Sequence, residues 1–187
     1  MKPRLTAIAQ RLALLIALAV SSMLRLDYVS GEPQFCAVGS GCERVRASEY
    51  SSFLGLSWPL IGMIALSVLI VAVLYAERPR DMKRVAVVHT LGALCALGLI
   101  GLQLFVIGAS CSLCMVVDGA ILFAAALAWV RYRAAVTNDQ AEKEATPLRV
   151  LWGATAIAVA LAPAFWQKPE AKTVSVPSEV AAWQVEG

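Results

Sequence analysis

The chain has 187 residues, of which 59% are hydrophobic and only 16% are charged. Soluble domains are roughly 45–50% apolar and about 25% charged, so we expect much of this protein's surface to face a lipid bilayer. The net charge is +3, and the Lys and Arg residues lie in short loops rather than along one face, which argues against a nucleic-acid partner. The length suits one helical bundle rather than several domains.

Long apolar stretches, taken in chain order, predict the membrane-spanning helices. The first stretch, residues 6–24, follows basic residues and has two interpretations: a retained helix, which we favour, or a cleaved signal sequence. A span needs about 20 apolar residues, and residues 57–76, 85–110 and 111–130 each reach that length. Residues 150–166 form a shorter fifth candidate.

The positions of Lys and Arg predict how these spans are oriented. Eleven of the 16 basic residues lie in the N-terminal segment and in the loops 77–84 and 131–149. Each span crosses the membrane once, so these three segments lie on the same side of it. By the positive-inside rule this side is cytoplasmic. The loop 27–56 and the tail 167–187 are then external. In a bacterium this describes a multi-pass protein of the inner membrane with a periplasmic tail.

The first outer loop carries a helical pattern in its second half. From Glu43 onward, apolar residues recur at about helical spacing among polar ones: Val45, Tyr50, Phe53 and Leu54. This pattern predicts a short amphipathic helix at the membrane interface, lying over the bundle as a lid. The alternative is a plain surface helix with no site beneath it.

Four of the five cysteines fall on the outer side of the membrane. Cys36 and Cys42 lie in the outer loop, and Cys111 and Cys114 form a CxxC motif where the fourth span begins. This compartment permits disulfides, so two close pairs indicate either a structural framework or a redox relay. Both interpretations stay open for the loop pair. The CxxC pair favours redox chemistry, because its ring is too small to constrain the unfolded chain much and a helix N-terminus stabilises a thiolate.

The depth of the CxxC pair indicates the electron acceptor. Cys114 lies about 4.5 Å deeper than Cys111, one helical turn into the bilayer edge, where a lipid-soluble quinone can take the two electrons and two protons of a dithiol. A zinc site is disfavoured by the CxxxxxC spacing of the loop pair and by outer loops without histidine, so we expect no metal. Cys95 is predicted to be a packing residue, and His89 is predicted to be an interface or packing residue.

The segment CAVGSGCERVRASEYSSFLG, from Cys36 to Gly55, is followed by two spans and then by CSLC at 111–114. This arrangement resembles the vitamin K epoxide reductase family, particularly its bacterial homologues. The order of the pairs, with the CxxC last, separates it from DsbB-type enzymes. The resemblance implies an all-α membrane protein with a four-helix core at residues 1–134. Residues 135–187 would hold a cytoplasmic loop, a fifth transmembrane helix and a short outer tail.

The resemblance also implies a role for each matching residue. Cys36 would take electrons from a thioredoxin-like or DsbA-like periplasmic protein, and Cys42 would pass them to Cys111. Cys114 would reduce a membrane quinone, ubiquinone or menaquinone, in support of disulfide bond formation. Ser48, six residues after Cys42, matches a polar position at the quinone end of the site.

Two departures from the family pattern bear on these roles. Animal members carry an aromatic residue four positions after the CxxC, where this chain has Asp118. An ionisable residue inside a span is a functional candidate, and it shares a helix face with Cys114. Asp118 would relay a proton or bind the quinone; alternatively, it would bond to a neighbouring helix.

The second departure concerns the redox partner. Many bacterial members continue into a thioredoxin-like domain after the fifth span, whereas here 21 residues follow without another cysteine. We therefore expect either that the partner is a separate protein or that the sequence is a shortened form of a longer chain. Two other functions stay open: reduction of a quinone epoxide by the same cysteines, and a non-catalytic membrane scaffold stapled by disulfides.

Overall fold

The computed structural model describes residues 3–30, 34–37, 39–138 and 146–162, which are mostly helical. In this part of the chain six α-helices follow one another: α1 (Pro3–Ser30), α2 (Gly41–Ala47), α3 (Trp58–Tyr75), α4 (Pro79–Gly101), α5 (Ser112–Asn138) and α6 (Thr146–Leu161). A π-helical stretch, Leu102–Ile107, continues α4. A small antiparallel hairpin, β1 (Ser52–Phe53) and β2 (Leu56–Ser57), lies between α2 and α3.

Within the described ranges, four helices are long and apolar enough to cross a membrane: Arg4–Ser30, Trp58–Tyr75, Pro79–Ile107 and Ser112–Thr137. Large apolar side chains are exposed on their outer surfaces, among them Ile64 and Leu91. Apolar surface on this scale indicates contact with lipid. The prediction of an all-α membrane bundle is confirmed. The apolar part of α6, Pro147–Leu161, is shorter, so its role as a fifth span stays a prediction.

The long helices extend beyond the apolar stretches that predicted them. α1 runs to Ser30 instead of ending near residue 24, and α5 continues to Asn138 instead of ending near residue 130. α4 begins at Pro79, six residues before the predicted start at 85, because proline suits the first turn of a helix. Hydropathy locates the part of a helix that lies in lipid, while a helix can continue through polar residues.

The outer loop differs from its predicted form. α2 ends at Ala47, a 3₁₀ turn follows at Glu49–Ser51, and the hairpin takes up the residues that were expected to continue the helix. The hairpin turns at Leu54 and Gly55, with φ values of 52° and 79°, a left-handed conformation that apolar spacing does not signal. That α2 lies at the membrane interface stays a prediction.

The bundle is organised around α5, which packs against α1 and α4, while α3 packs on α1. Close packing is possible because small residues lie at the helix contacts: Ala17, Ala86 and Ala124 are 0% exposed. α6 packs against α1 and α3. The Arg11 guanidinium of α1 lies 5.7 Å from the ring centroid of Trp152 in α6, and an Arg149–Glu77 ion pair adds a second link.

A polar cluster joins α1, α4 and α5 on the side of the bundle that carries most basic residues. The Gln10 side chain is central: its Oε1 accepts from Arg131 at 2.7 Å, and its Nε2 lies 3.4 Å from His89 Nε2. His89 is completely buried, with Nδ1 2.8 Å from the Val85 carbonyl oxygen. This environment agrees with the packing role predicted for His89.

Candidate functional site

The loop cysteines, Cys36 and Cys42, are joined in a disulfide with a Cα–Cα distance of 5.6 Å. Cys42 lies in the first turn of α2. The N-cap of this helix is Ser40, whose Oγ accepts from the Glu43 N–H at 3.4 Å, and the Glu43 carboxylate accepts in turn from Gly39. These reciprocal bonds satisfy N–H groups at the helix start, so they set the position of Cys42.

The segment that carries Cys36 is held by Asp27 of α1, which is 0% exposed. Its carboxylate accepts from the backbone N–H groups of Gln34 at 2.7 Å, Phe35 at 3.1 Å and Cys36 at 2.9 Å. Hydrogen bonds to an ionised carboxylate are among the strong ones in proteins. The sequence interpretation missed this contact, although an acidic residue where an apolar span ends was a usable signal.

The two cysteine pairs meet at Cys42 and Cys111, whose Sγ atoms are 3.4 Å apart. Both residues are buried, with 6% and 1% of their surface exposed. Gly41 permits this approach, because a Cβ atom there would overlap the carbonyl oxygen of Ser110. The structure thus brings together the loop pair and the CxxC pair, which are almost 70 positions apart in the chain.

The Cys111 thiol lies where α5 begins. Its Sγ accepts from the Cys114 N–H at 3.1 Å, and its own N–H donates to Oε1 of Gln103 at 2.9 Å. A hydrogen bond from the Cys114 side chain, supported by the N–H groups of Cys114 and Leu113, outweighs burial and lowers the pKa of the Cys111 thiol. Cys111 and Cys114 are both free thiols. The Cys114 thiol and, to a smaller extent, the N–H groups at the helix start therefore favour the thiolate of Cys111.

A mostly apolar cavity of about 190 Å³ adjoins the CxxC pair, between helices α1, α3, α4 and α5. A protein cavity of about 150 Å³ holds a benzene ring, so a ring-sized head group fits. A few residues with polar or sulfur-containing side chains interrupt the apolar wall: Ser21, Tyr28, Tyr50, Ser51, Cys95, Gln103, Cys114 and Asp118. Apolar walls with few polar groups are typical of small-molecule sites.

Asp118 and Cys114 line this same cavity. Asp118 is 4% exposed, and its Oδ2 has no hydrogen-bond partner among the described residues. A buried carboxyl oxygen without a partner is costly, so its position at a cavity wall favours a role toward a ligand. The alternative of a bond to a neighbouring helix is not seen for Oδ2 in the described part of the chain.

Ser48 does not line the cavity. Its hydroxyl donates to the Val45 carbonyl at 2.7 Å and caps the end of α2, whereas Val45 and Ser51 do contact the cavity. Cys95, expected to be a packing residue, lies in the cavity wall instead. No three His, Cys, Asp or Glu side chains form a metal-ligand group within the residues that the structure covers.

An apolar helical bundle that holds a disulfide against a second cysteine pair, beside an apolar cavity, defines a membrane redox protein. The model of the vitamin K epoxide reductase family matches residues 9–129. No curated protein and no solved structure matches the chain. The match covers more than half of the chain and both cysteine pairs, so the chain belongs to the vitamin K epoxide reductase family. It is a membrane oxidoreductase of a family that is associated with quinones.

Proposed function

We propose that the protein oxidises a thioredoxin-like or DsbA-like periplasmic protein and passes the electrons to a membrane quinone, in support of disulfide bond formation. The observation that carries this proposal is the 3.4 Å distance between Sγ of Cys42 and Sγ of Cys111. Thiol–disulfide exchange requires direct attack of one sulfur on another. A relay from the loop pair to the CxxC pair can therefore proceed without a carrier between them.

The first half of the reaction reduces the loop pair. A partner thiolate attacks Cys36, and Cys42 leaves as a thiolate. The second partner thiolate then attacks the mixed disulfide and releases Cys36, so the partner is oxidised and the loop pair is reduced. Two protons leave the partner dithiol in this exchange. Because Cys36 is 4% exposed, its segment must move before a protein partner can reach it.

The second half moves both electrons inward. The Cys42 thiolate attacks Cys111 of the Cys111–Cys114 disulfide, and Cys114 leaves. Cys36 then attacks Cys42, which closes the loop disulfide and frees Cys111. A low thiol pKa speeds departure from a disulfide, so the lowered pKa of Cys111 favours this last step. The structure, with the loop pair joined and both CxxC thiols free, corresponds to the state that follows.

Cys114 is the thiol of the CxxC pair that lines the cavity, which supports its role as the quinone-facing cysteine. A bound quinone, ubiquinone or menaquinone, would accept two electrons and two protons and leave as the hydroquinone. Asp118 would hydrogen-bond its head group or hold a proton for it. Ser48 would act indirectly, by fixing the end of α2 whose Val45 contacts the cavity.

The membrane placement belongs to the same proposal. The Lys and Arg distribution supports a bacterial inner-membrane protein with a cytoplasmic N-terminus and with the cysteines and C-terminus outside. α6 would be a fifth span attached to a core of residues 1–134, and residues 135–187 would carry this span and its flanks. Residues 139–145 of the predicted cytoplasmic loop and the whole tail 167–187 lie outside the described residues.

A turnover assay tests the proposal. Purified protein is mixed with a reduced DsbA-like protein and a short-chain ubiquinone or menaquinone, and quinone absorbance is followed. We expect consumption that falls by at least about 100-fold in Cys111→Ser and Cys114→Ser. Ser112→Ala, an exposed position between the two cysteines, is the matched control and should keep the wild-type rate. Full activity in the Cys114 variant would exclude its quinone-facing role.

The same protein preparations separate the two other functions. Activity on a quinone epoxide, with none on the quinone, would identify an epoxide reductase that uses the same cysteines. If substitution of Cys111 or Cys114 changes only thermal stability, the protein is a disulfide-stapled scaffold. The 3.4 Å approach of two cysteines from different pairs favours the relay, because a staple needs contact only within each pair.

A further inference from the structure

Gln103 lies in the π-helical stretch Leu102–Ile107 and is 4% exposed. π-helical turns are rare and frequently occur at functional sites. The Gln103 carbonyl accepts from the N–H groups of Gly108 and, at 3.1 Å, Ala109. Gly108 closes this turn with a φ of 65°, a conformation that glycine adopts without strain. The chain therefore folds back on Gln103 and brings the backbone of Cys111 to its side chain.

The hydrogen bond to Cys111 determines which way the Gln103 amide faces. Its Oε1 accepts from the Cys111 N–H at 2.9 Å. A backbone N–H can only donate, so the oxygen end of the amide is committed to this bond. Nε2 can only donate, and it is left for a different partner. Cys111 is 1% exposed, so bulk solvent does not compete with Gln103 for its N–H.

Gln103 also lines the cavity that contains Cys114 and Asp118. This one side chain therefore contacts the relay cysteine Cys111 and the wall of the cavity. The Asp118 Oδ2, buried and without a partner among the described residues, is a second polar atom of the same cavity. The Gln103 amide N–H donates, and the Asp118 carboxyl donates when it is protonated, so these two groups suit a ligand with two carbonyl oxygens on an apolar ring.

We propose that Gln103 binds the electron acceptor directly, with Nε2 donating to one carbonyl oxygen while Oε1 remains on the Cys111 N–H. The inference rests on the proposed function for the identity of the acceptor as a quinone. A hydrogen bond to a carbonyl oxygen strengthens as that oxygen gains negative charge on reduction. Gln103 therefore assists electron transfer as well as binding, and it holds the acceptor beside the CxxC pair.

Two substitutions separate the two ends of the amide. Gln103→Glu keeps an oxygen for the Cys111 N–H but removes the donor when ionised, and Gln103→Met removes both while keeping the length. Phe105→Leu is the control, because Phe105 belongs to the same π-helical stretch and is 87% exposed. Burial raises the pKa of a carboxyl, so the quinone KM is compared from about pH 7 to about pH 10. Gln103→Met should raise this KM by about three- to tenfold throughout, and Gln103→Glu should raise it similarly as the rising pH ionises the introduced carboxyl.

Internal electron transfer gives a readout that does not involve the quinone. The protein is reduced with dithiothreitol, and reduction of the Cys111–Cys114 pair is followed by thiol alkylation and mass spectrometry. Gln103→Met should slow this transfer, and Gln103→Glu should restore most of the wild-type rate. Binding without turnover is measured with a decyl-substituted benzoquinone by quenching of tryptophan fluorescence, since Trp58 lines the cavity.

The outcomes separate this inference from the proposed function. If wild-type protein binds the benzoquinone but does not reduce it, the proposed function fails, and weaker binding by the two variants still supports the role of Gln103. If Gln103→Glu binds and reduces the quinone with wild-type constants at every pH, including where its carboxyl is ionised, Gln103 serves only Cys111 and the inference is wrong. Should Gln103→Met fail to fold, the Glu variant alone decides between these results.

Discussion

Gly41 packs so closely on the backbone of Ser110 that a Cβ atom at position 41 would overlap the Ser110 carbonyl oxygen. Each of these residues directly precedes a cysteine of the proposed relay, and the Sγ atoms of Cys42 and Cys111 lie 3.4 Å apart. The distance between the two cysteine pairs therefore depends on the lack of a side chain at Gly41. A methyl group at this point must push α2 away from the start of α5.

Gly41→Ala should slow electron transfer from the loop pair to the CxxC pair by about 10- to 100-fold, since misplacement by about 1 Å can cost that much in rate. The measurement is the rate at which Cys111 and Cys114 become reduced after a pulse of dithiothreitol. Gly98→Ala is the control, because a Cβ there meets nothing within 4 Å. Equal rates in the two variants would show that the contact does not limit the transfer.

The proximity of Cys42 and Cys111 also predicts a specific trapped disulfide. In the double variant Cys36→Ser with Cys114→Ser, each sulfur loses its usual partner, and mild oxidation with diamide should join Cys42 to Cys111. Mass spectrometry of unreduced peptides detects this bond. The comparison variant, Cys42→Ser with Cys114→Ser, should yield much less of an internal disulfide. If both variants cross-link equally, the loop moves too freely for the observed geometry to govern exchange.

Asp27 should control how easily the loop disulfide is reduced. Removing its carboxylate leaves the N–H groups of Gln34, Phe35 and Cys36 without their acceptor, and each lost charge-assisted bond costs about 1.5–3 kcal/mol. Asp27→Ala should therefore expose Cys36 and speed reduction by dithiothreitol by about tenfold, with Asp27→Asn intermediate. Glu49→Ala removes an exposed acid from the same loop and should leave the rate of disulfide reduction unchanged. A similar increase in Glu49→Ala would show that the hydrogen bonds of Asp27 do not limit this reduction.

The Asp118 carboxyl should lower the stability of the fold while it supports quinone reduction. Its Oδ2 is buried without a partner among the described residues, so Asp118→Asn removes part of a desolvation cost. We expect an unchanged or higher thermal unfolding temperature in detergent. The rate of quinone reduction should fall by about 100-fold if the carboxyl transfers a proton to the quinone. It should fall less if the carboxyl only binds the quinone head group. A variant that unfolds earlier and retains activity would instead indicate a structural carboxyl.

Gln10 should stabilise the bundle through its contacts with α4 and α5. Gln10→Leu leaves the buried side chains of His89 and Arg131 without the bonds they make to it. Loss of such partners costs about 1–3 kcal/mol, which lowers the unfolding temperature in detergent. Ser67→Ala, at an exposed hydroxyl that donates to a carbonyl within α3, should change stability by less than about 0.5 kcal/mol. Similar shifts in both would contradict a special role for Gln10.

Four spans could be predicted from the sequence, and so could the placement of both cysteine pairs on the same side of the membrane. The family followed from the order of those pairs. The hairpin could not, because Phe53 and Leu54 fit a helical spacing equally well and only the left-handed turn at Leu54 and Gly55 ends that pattern. Asp118 could be predicted as a site residue without knowledge of its neighbours, since an acidic residue inside a span is costly in any fold.

Local sequence by itself determined where the chain enters lipid and which cysteines share a compartment, because burial in a bilayer depends mainly on the length and composition of each stretch. Only the tertiary structure decided that Gly41 meets Ser110, that Asp27 holds the Cys36 segment and that Gln103 contacts both Cys111 and the cavity. These contacts join residues that no short pattern relates. They arise when helix packing and turns bring distant backbone groups together, and each buried N–H must then find an acceptor. The close approach at Gly41, which sets the distance between the cysteine pairs, is a product of that packing.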